Sequence, residues 1–291
     1  MTRLQPPDVD PIPGNLADYD DALRRKTGLS LRQIACRATG TTEDRLERVM
    51  GRVTAAAVPV SSGLGVIPGF SHAVAAIVAH LGFGSFVPEG RDVEGIVEAL
   101  ERGADILLLA DDQRFVALSP GRRFVVDNAG ATARGFVAGL EAMRGEIAGT
   151  SALVLGCGPV GMAGAEALLN RGATVSLLDS DRGRALSAAR GLEAIWPEAV
   201  RVEEDEWASA LGRYDLIFEA TPAGGFIESH YLSSTTLVAA PGMPCALTEE
   251  ALDRHGHRVL HDALEIGTAT MTVEVAAEMA EGLGPEKAGK P

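Results

Sequence analysis

One stretch constrains this chain more than any other. Ser151-Ala-Leu-Val-Leu-Gly-Cys-Gly-Pro-Val-Gly161 is a short apolar run followed by Gly156-x-Gly158-x-x-Gly161, and an alanine-rich helical pattern comes next. A second apolar run, Ala173-Thr-Val-Ser-Leu-Leu178, ends at Asp179. Strand, glycine turn, helix and acid-tipped strand in this order predict a unit that cradles a dinucleotide.

Each residue has a task there. Gly156 permits the tight turn off the strand, Gly158 keeps a Cβ away from the pyrophosphate, and Gly161 lets the helix lie close to the sheet. Pro159 suits the first helical turn, where its missing N–H costs nothing, and Val160 shares that turn. The remaining N–H groups and the helix dipole face the phosphates. Asp179 stands near the spacing of about 20 residues expected for an acceptor to a ribose 2′-hydroxyl. Its charge repels a 2′-phosphate, so NAD is expected over NADP, with Arg182 near enough to soften the preference. A glycine-rich turn that binds nothing would explain the turn, but not the strand, helix and acid around it.

The 291 residues suffice for two modest domains with a real core. Hydrophobic residues make up 46%, which places the chain among globular proteins. The 26 basic and 40 acidic residues give a formal charge of -14, with no Lys/Arg-rich block. Neither nucleic acid nor an anionic membrane surface is therefore an expected partner. The acidic excess favours a cationic ligand, though solvation alone accounts for it. No run of about 18 uncharged apolar residues proposes a membrane span, and Met1-Thr-Arg-Leu-Gln-Pro-Pro7 lacks a signal-peptide pattern. Cys36, Cys157 and Cys245 are far apart and lack metal-ligand spacing, so a reduced, cytoplasmic protein is expected. Cys157 reads as a small filler in the glycine turn. The histidines, at 72, 80, 230, 255, 257 and 261, form no ligand motif, and no metal is expected. His255 and His257 read as part of a polar loop.

Periodicity predicts an α/β chain in three parts and a tail. Residues 1–57 form an N-terminal helical segment, with helices over 15–26, 30–37 and 42–49, the last capped by Thr41 or Thr42. Residues 58–134 form a central α/β substrate-binding region. Its expected elements are a strand near 54–60, a loop at 61–65, a helix over 71–81, a strand at 84–87, a helix over 92–102 capped by Asp92, and a buried strand at 105–110. Residues 135–281 form a C-terminal Rossmann NAD-binding domain with a parallel sheet. A helix over 132–143 leads into it, strands lie at 215–218, 236–240 and 258–261, and a helix over 270–279 closes it. Residues 282–291 read as a flexible tail. The alternation of strands and helices predicts parallel sheets covered on both faces.

Ligands of such sheets bind beyond the carboxyl ends of the strands. Ser61-Ser62-Gly63, Asp111-Asp112, Glu219-Ala-Thr-Pro222 and Pro241-Gly-Met-Pro-Cys245 stand at such ends. A carboxylate at 111 or 112 can hold an ammonium or accept a proton. Two acids facing one pocket would raise one pKa, but strand alternation predicts that only one of them faces it. Thr221, Pro222 and Pro241 suit a nucleotide pocket or, equally, plain turns. Asn128 suits a carboxamide or substrate contact, or else a helix cap.

With these residues laid out, the chain resembles the pyrrolysine biosynthesis dehydrogenases, the PylD family, over roughly residues 24 to 275. The resemblance rests on Arg24-Arg-Lys-Thr-Gly-Leu29, Val58-Pro-Val-Ser-Ser-Gly63, Ala110-Asp-Asp112, Phe218-Glu-Ala-Thr-Pro222, Pro241-Gly-Met-Pro-Cys245 and Ile266-Gly-Thr-Ala-Thr-Met271. It implies N-terminal helices, a central α/β region and a C-terminal Rossmann domain. It also implies a homodimer and NAD-dependent oxidation of a dipeptide-like amine, L-lysine-Nε-3-methyl-D-ornithine, at the carbon bearing the terminal amine. Ammonia loss and cyclisation then give pyrrolysine. By the same resemblance Asp111 is the amine anchor and proton acceptor, and Val60, Ser61 and Ser62 form the substrate loop. Asn128 lies near the nicotinamide, and Gly156, Gly158, Gly161 and Asp179 hold NAD. Pro159 and His261-Asp262-Ala263 depart from the family pattern. An NAD-dependent dehydrogenase of another amino or hydroxy acid is the alternative. A dinucleotide sensor without catalysis is disfavoured, because it needs no substrate loop.

Overall fold

Local chemistry sets the N-terminal helices. The computed structural model describes residues 4–204 and 206–281; the tail expected at 282–291 lies outside them. A short helix α1 (Pro6–Val9) precedes α2 (Ile12–Thr27), which ends where Gly28 turns left-handed at φ 74°. Ser30 and Gln33 form a reciprocal cap on α3 (Leu31–Thr39), and the Thr42 hydroxyl accepts from Arg45 N–H to cap α4 (Glu43–Met50).

The first sheet then begins. Its elements are β1 (Thr54–Val58), α5 (Phe70–His80), β2 (Gly84–Phe86), α6 (Asp92–Glu101), β3 (Ile106–Ala110), β4 (Phe115–Ser119) and β5 (Phe124–Asp127). The strand order is β2-β1-β3-β4-β5. The first three strands are parallel, as alternation predicts, but β4 and β5 return antiparallel. The all-parallel expectation fails here because the connections are tight: a turn at 111–114 and a Pro-Gly turn at 120–121 leave no room for a crossover. Asp92 is not the cap of α6. Arg91 holds that position, and Asp92, at φ 53°, turns its carboxylate to the Ser61 N–H at 2.7 Å and hydroxyl at 2.5 Å.

Helix α7 (Asn128–Arg144) leads to the second sheet. There follow β6 (Ser151–Leu155), α8 (Pro159–Leu169), β7 (Thr174–Leu178), α9 (Arg182–Glu193), β8 (Val200–Val202), α10 (Trp207–Leu211), β9 (Leu216–Glu219), β10 (Leu237–Ala239), α11 (Glu249–His255), β11 (Val259–Leu260) and α12 (Glu265–Glu281). All its strands are parallel, in the order β11-β10-β9-β6-β7-β8. This is the doubly wound Rossmann order, with its reversal between β6 and β9. Leu153, Val154, Ile217 and Phe218 are fully buried at that centre, as a sheet covered on both faces requires.

Helices α7 and α12 join the two sheets. Helix α12 starts five residues earlier than its pattern predicts, packs on α3 and α7, and reaches back to β4 and β5. Most of its residues are buried, so it is a core helix and shows little amphipathic signal. Among the described residues no helix is long and apolar enough to cross a membrane.

Candidate active site

The carboxyl ends of both sheets converge on one cavity of about 590 Å³. That volume lies within the range of small-molecule sites, roughly 300–1,000 Å³. The Rossmann half supplies Gly156, Gly158, Pro159, Val160, Asp179, Thr221, Pro222 and Pro241. The first sheet supplies Val60, Asp111 and Asp112, and Asn128 comes from the start of α7.

The glycine turn has the geometry its sequence predicts. Gly156 sits at φ 88°, which side chains rarely tolerate, and its N–H donates to the Leu178 carbonyl at 2.8 Å. Gly158 is the N-cap of α8, Pro159 its first residue, and no side chain caps the helix. Its first-turn N–H groups therefore face the cavity without a protein acceptor from a cap. A Cβ at Gly158 would meet nothing within 4 Å, which leaves room for a ligand's phosphates. Gly161 does not line the cavity; it lies against the Gly156 carbonyl and the Ala220 Cβ.

Asp179 braces this turn. One oxygen accepts from Cys157 N–H at 2.8 Å and the other from Asp181 N–H at 2.9 Å. The basic neighbour is not Arg182, which pairs with Glu204 at 3.4 Å. Arg184 instead lies 3.5 Å from Asp179 and lines the cavity, an exposed residue in the first turn of α9. Burial, with the Asp179 charge, pushes the Cys157 thiol up to about 11, as suits a filler.

Both Asp111 and Asp112 reach the cavity. The expected alternation fails because neither lies in β3; they form the turn to β4, where the two-residue period no longer applies. The Asp111 Oδ1 accepts from Arg114 N–H and Gln113 N–H, each at 2.7 Å. Those hydrogen bonds, Arg114 first, hold its pKa below the usual carboxylate value, so the expected rise from a facing pair is not found at this residue. Asp112 ties down the loop after β1, its Oδ2 accepting from Leu64 N–H at 2.5 Å.

Of the loop residues, Val60 lines the cavity and Ser61 and Ser62 do not. Ser61 is held by Asp92, on the other side of the turn. Asn128 is not a cap: Asp127 caps α7, accepting from Ala129 N–H at 2.9 Å while Arg114 grips its second oxygen. His255 closes α11, where its ring meets the Ser229 hydroxyl at 3.1 Å, and His257 lies in a short turn.

Beneath the cavity lies a buried polar layer that no sequence motif announces. Glu219 ends β9 at 0% exposure. Its Oε1 accepts from Thr221 N–H at 2.6 Å and from the Thr221 hydroxyl at 2.5 Å, which shapes the loop carrying Thr221 and Pro222. Among the described residues its Oε2 has no hydrogen-bond partner. Burial pushes its pKa up to about 7, against the Thr221 bonds and the nearby His261 charge. His261 faces the Ala240 carbonyl through Nδ1 at 2.7 Å. Burial works against its charged form, but the Cys245 sulfur, the Ala240 carbonyl and Asp262 outweigh it and push the ring up to about 9. Asp262 lines the cavity and accepts from the Tyr19 hydroxyl at 2.8 Å. Burial raises its pKa, and Glu265 beside it is raised to about 8, by burial first and the Asp262 charge second. Only the strand-end position of Glu219 and Asp262 signalled them. Among the described residues no group of three or more His, Cys, Asp or Glu is placed to hold a metal ion.

Residues 8–123 match the family described as pyrrolysine biosynthesis protein PylD, N-terminal domain. The chain is 33% identical over 278 residues to the pyrrolysine synthase of Methanosarcina acetivorans, covering 94% of this chain and 100% of that protein. It is 34% identical over 276 residues to the pyrrolysine synthase of Methanosarcina barkeri, covering 94% and 98%. In fold it is similar to quinate dehydrogenase from Corynebacterium glutamicum in complex with NAD, with a TM-score of 0.52 and 17% identity over 79% of this chain and 98% of that one.

Proposed function

The chain belongs to the pyrrolysine synthase family, and from that premise we propose that it is an NAD-dependent amine dehydrogenase that forms pyrrolysine. Its substrate is L-lysine-Nε-3-methyl-D-ornithine. The terminal CH2–NH3⁺ carbon loses a proton from nitrogen and a hydride from carbon to become an iminium. Water releases ammonia, and the ornithine α-amine closes the ring with loss of water. The observation that carries this reading is one cavity shared by a dinucleotide turn and an acidic wall.

The residues fit the cofactor. The Gly156–Val160 turn offers N–H groups and open space to a pyrophosphate, and Asp179 stands where a ribose would lie. Bound there, NAD supplies the hydride acceptor. The carboxylate at 179 favours it over NADP.

Two carboxylates divide the remaining work. Asp111, held ionised by two N–H bonds, anchors the substrate ammonium. Asp262, raised by burial, takes the proton that must leave nitrogen before hydride can leave carbon. The apolar wall from Val60 and Phe115 excludes water around the reacting carbon. The chain acts as a homodimer in the reducing cytoplasm.

The test is direct. The protein, NAD and L-lysine-Nε-3-methyl-D-ornithine should yield NADH absorbance and a product with the mass of pyrrolysine. NADH formation from a simple hydroxy acid but not from this amine would reject the substrate and retain the cofactor.

A further inference from the structure

Asn128 and Thr132 lie one turn apart on α7, and both line the cavity. The Thr132 hydroxyl donates to the Asn128 Oδ1 at 3.2 Å. Helix α12 crosses directly above them at Gly267. A Cβ on Gly267 would stand 2.8 Å from the Asn128 Oδ1 and closer still to the Thr132 Oγ1. The amide is therefore confined from two sides: a hydroxyl occupies its oxygen, and a glycine backbone leaves just the space that the pair fills.

That confinement has a chemical consequence. A side-chain amide has one acceptor and one NH₂ donor. With one Oδ1 lone pair taken by Thr132 and Gly267 closing over the oxygen, the group left for a ligand is the NH₂. The position then recognises an acceptor oxygen and rejects a donor, since an N–H presented there would face another N–H.

We propose that Thr132 is a positioning residue that locks the Asn128 amide with its NH₂ towards the cavity, making this corner a reader of an amide carbonyl oxygen. The inference rests on the cofactor reading above. Two sources carry such an oxygen: the carboxamide of the nicotinamide ring and the amide bond of the substrate. Thr132→Val is nearly isosteric and removes only the hydroxyl; Thr132→Ser keeps it. Gly267→Ala intrudes on the pair from the opposite side.

Calorimetry with NAD and with ADP-ribose, which lacks the nicotinamide, separates the possibilities. Steady-state kinetics in the amine substrate supply the second arm. Losing one positioned hydrogen bond should weaken the affected ligand roughly threefold to tenfold. If the nicotinamide is the source, Thr132→Val and Gly267→Ala weaken NAD by that factor and leave ADP-ribose unchanged. If the substrate amide is the source, both ligands keep their affinity and the KM of the amine rises instead. Thr132→Ser restores wild-type behaviour in either case. The proposal is overturned if Thr132→Val changes neither NAD affinity nor the amine KM. It is equally overturned if ADP-ribose weakens as much as NAD, or if Thr132→Ser behaves like Thr132→Val. Failure of the wild-type protein to bind ADP-ribose or NAD would instead strike the cofactor reading itself.

Discussion

Replacing Glu219 by glutamine should make the protein more stable at alkaline pH and leave it almost unchanged in acid. Glu219 is fully buried at the end of β9, and among the described residues its Oε2 has no partner. Burial raises its pKa from 4.5 to about 7. At about 1.4 kcal/mol per tenfold, that rise is worth about 3 kcal/mol. Because the folded value lies above the unfolded one, the contribution is complete below pH 4.5 and is lost as pH rises through about 7. Glutamine never carries the charge, and its oxygen can accept the same two bonds from Thr221. Urea unfolding, followed by the fluorescence of Trp196 and Trp207, would be run on both proteins from acid to mildly alkaline pH. Taking their difference cancels the groups that do not interact with Glu219; the His261 charge, which favours the ionised glutamate, is already contained in the net rise to about 7. The difference should grow to about 3 kcal/mol in favour of glutamine across the window from 4.5 to 7. Parallel stability curves would refute the reasoning. So would a glutamine variant that is weaker at high pH, since that would make Glu219 a stable anionic partner of the His261 ring.

Three further outcomes test the site. Asp179→Ala should weaken NAD at least tenfold, about the worth of one charged hydrogen bond, and let NADP compete through Arg184; an unchanged ratio of the two affinities in a binding titration would contradict the ribose assignment. Asp111→Asn preserves the turn, since asparagine can accept from Gln113 and Arg114. It should depress turnover by tenfold or more while NAD affinity stays constant; equal losses in kinetics and cofactor titration would remove it from amine binding. Asp262→Asn should lower turnover and abolish the acid limb of the kcat/KM profile, because the wild-type group loses its proton only above the usual carboxylate range; a retained limb would place the base elsewhere.

The glycine turn, Asp179 and the strand-end acids were legible because their signals are local. Strand, Gly156 and Pro159 follow one another, and each needs only its neighbours to be interpreted. The β4–β5 hairpin carried a signal as well, two short apolar runs around Pro120-Gly121, but it was submerged in the alternating pattern that dominates the chain. Asp92 shows a different limit. An acid before a helical run reads as a cap, yet its partner, Ser61, lies 31 residues away across a turn that only tertiary packing creates. The layer of Glu219, His261 and Asp262 was further out of reach. Its members meet because β9, β10 and β11 lie side by side in parallel, and that order is a property of the sheet.

The separation of Asp111 from Asp262 follows from what each surrounding does to a proton. An oxygen that accepts two backbone N–H bonds in an exposed turn is stable as an anion and has little affinity for a proton. Such a group holds an ammonium across a wide pH range but pulls weakly on its hydrogens. A carboxyl buried at the start of α12 has the opposite bias, because desolvation outweighs the Tyr19 hydroxyl and Ile266 N–H bonds that it accepts. It binds a proton readily and pays in desolvation whenever it is charged. No single environment satisfies both demands, so one carboxylate cannot both hold and deprotonate the same amine well. A fold that brings the strand ends of two sheets to one cavity escapes the conflict, because it places an exposed turn and a buried helix start on the walls of the same cavity.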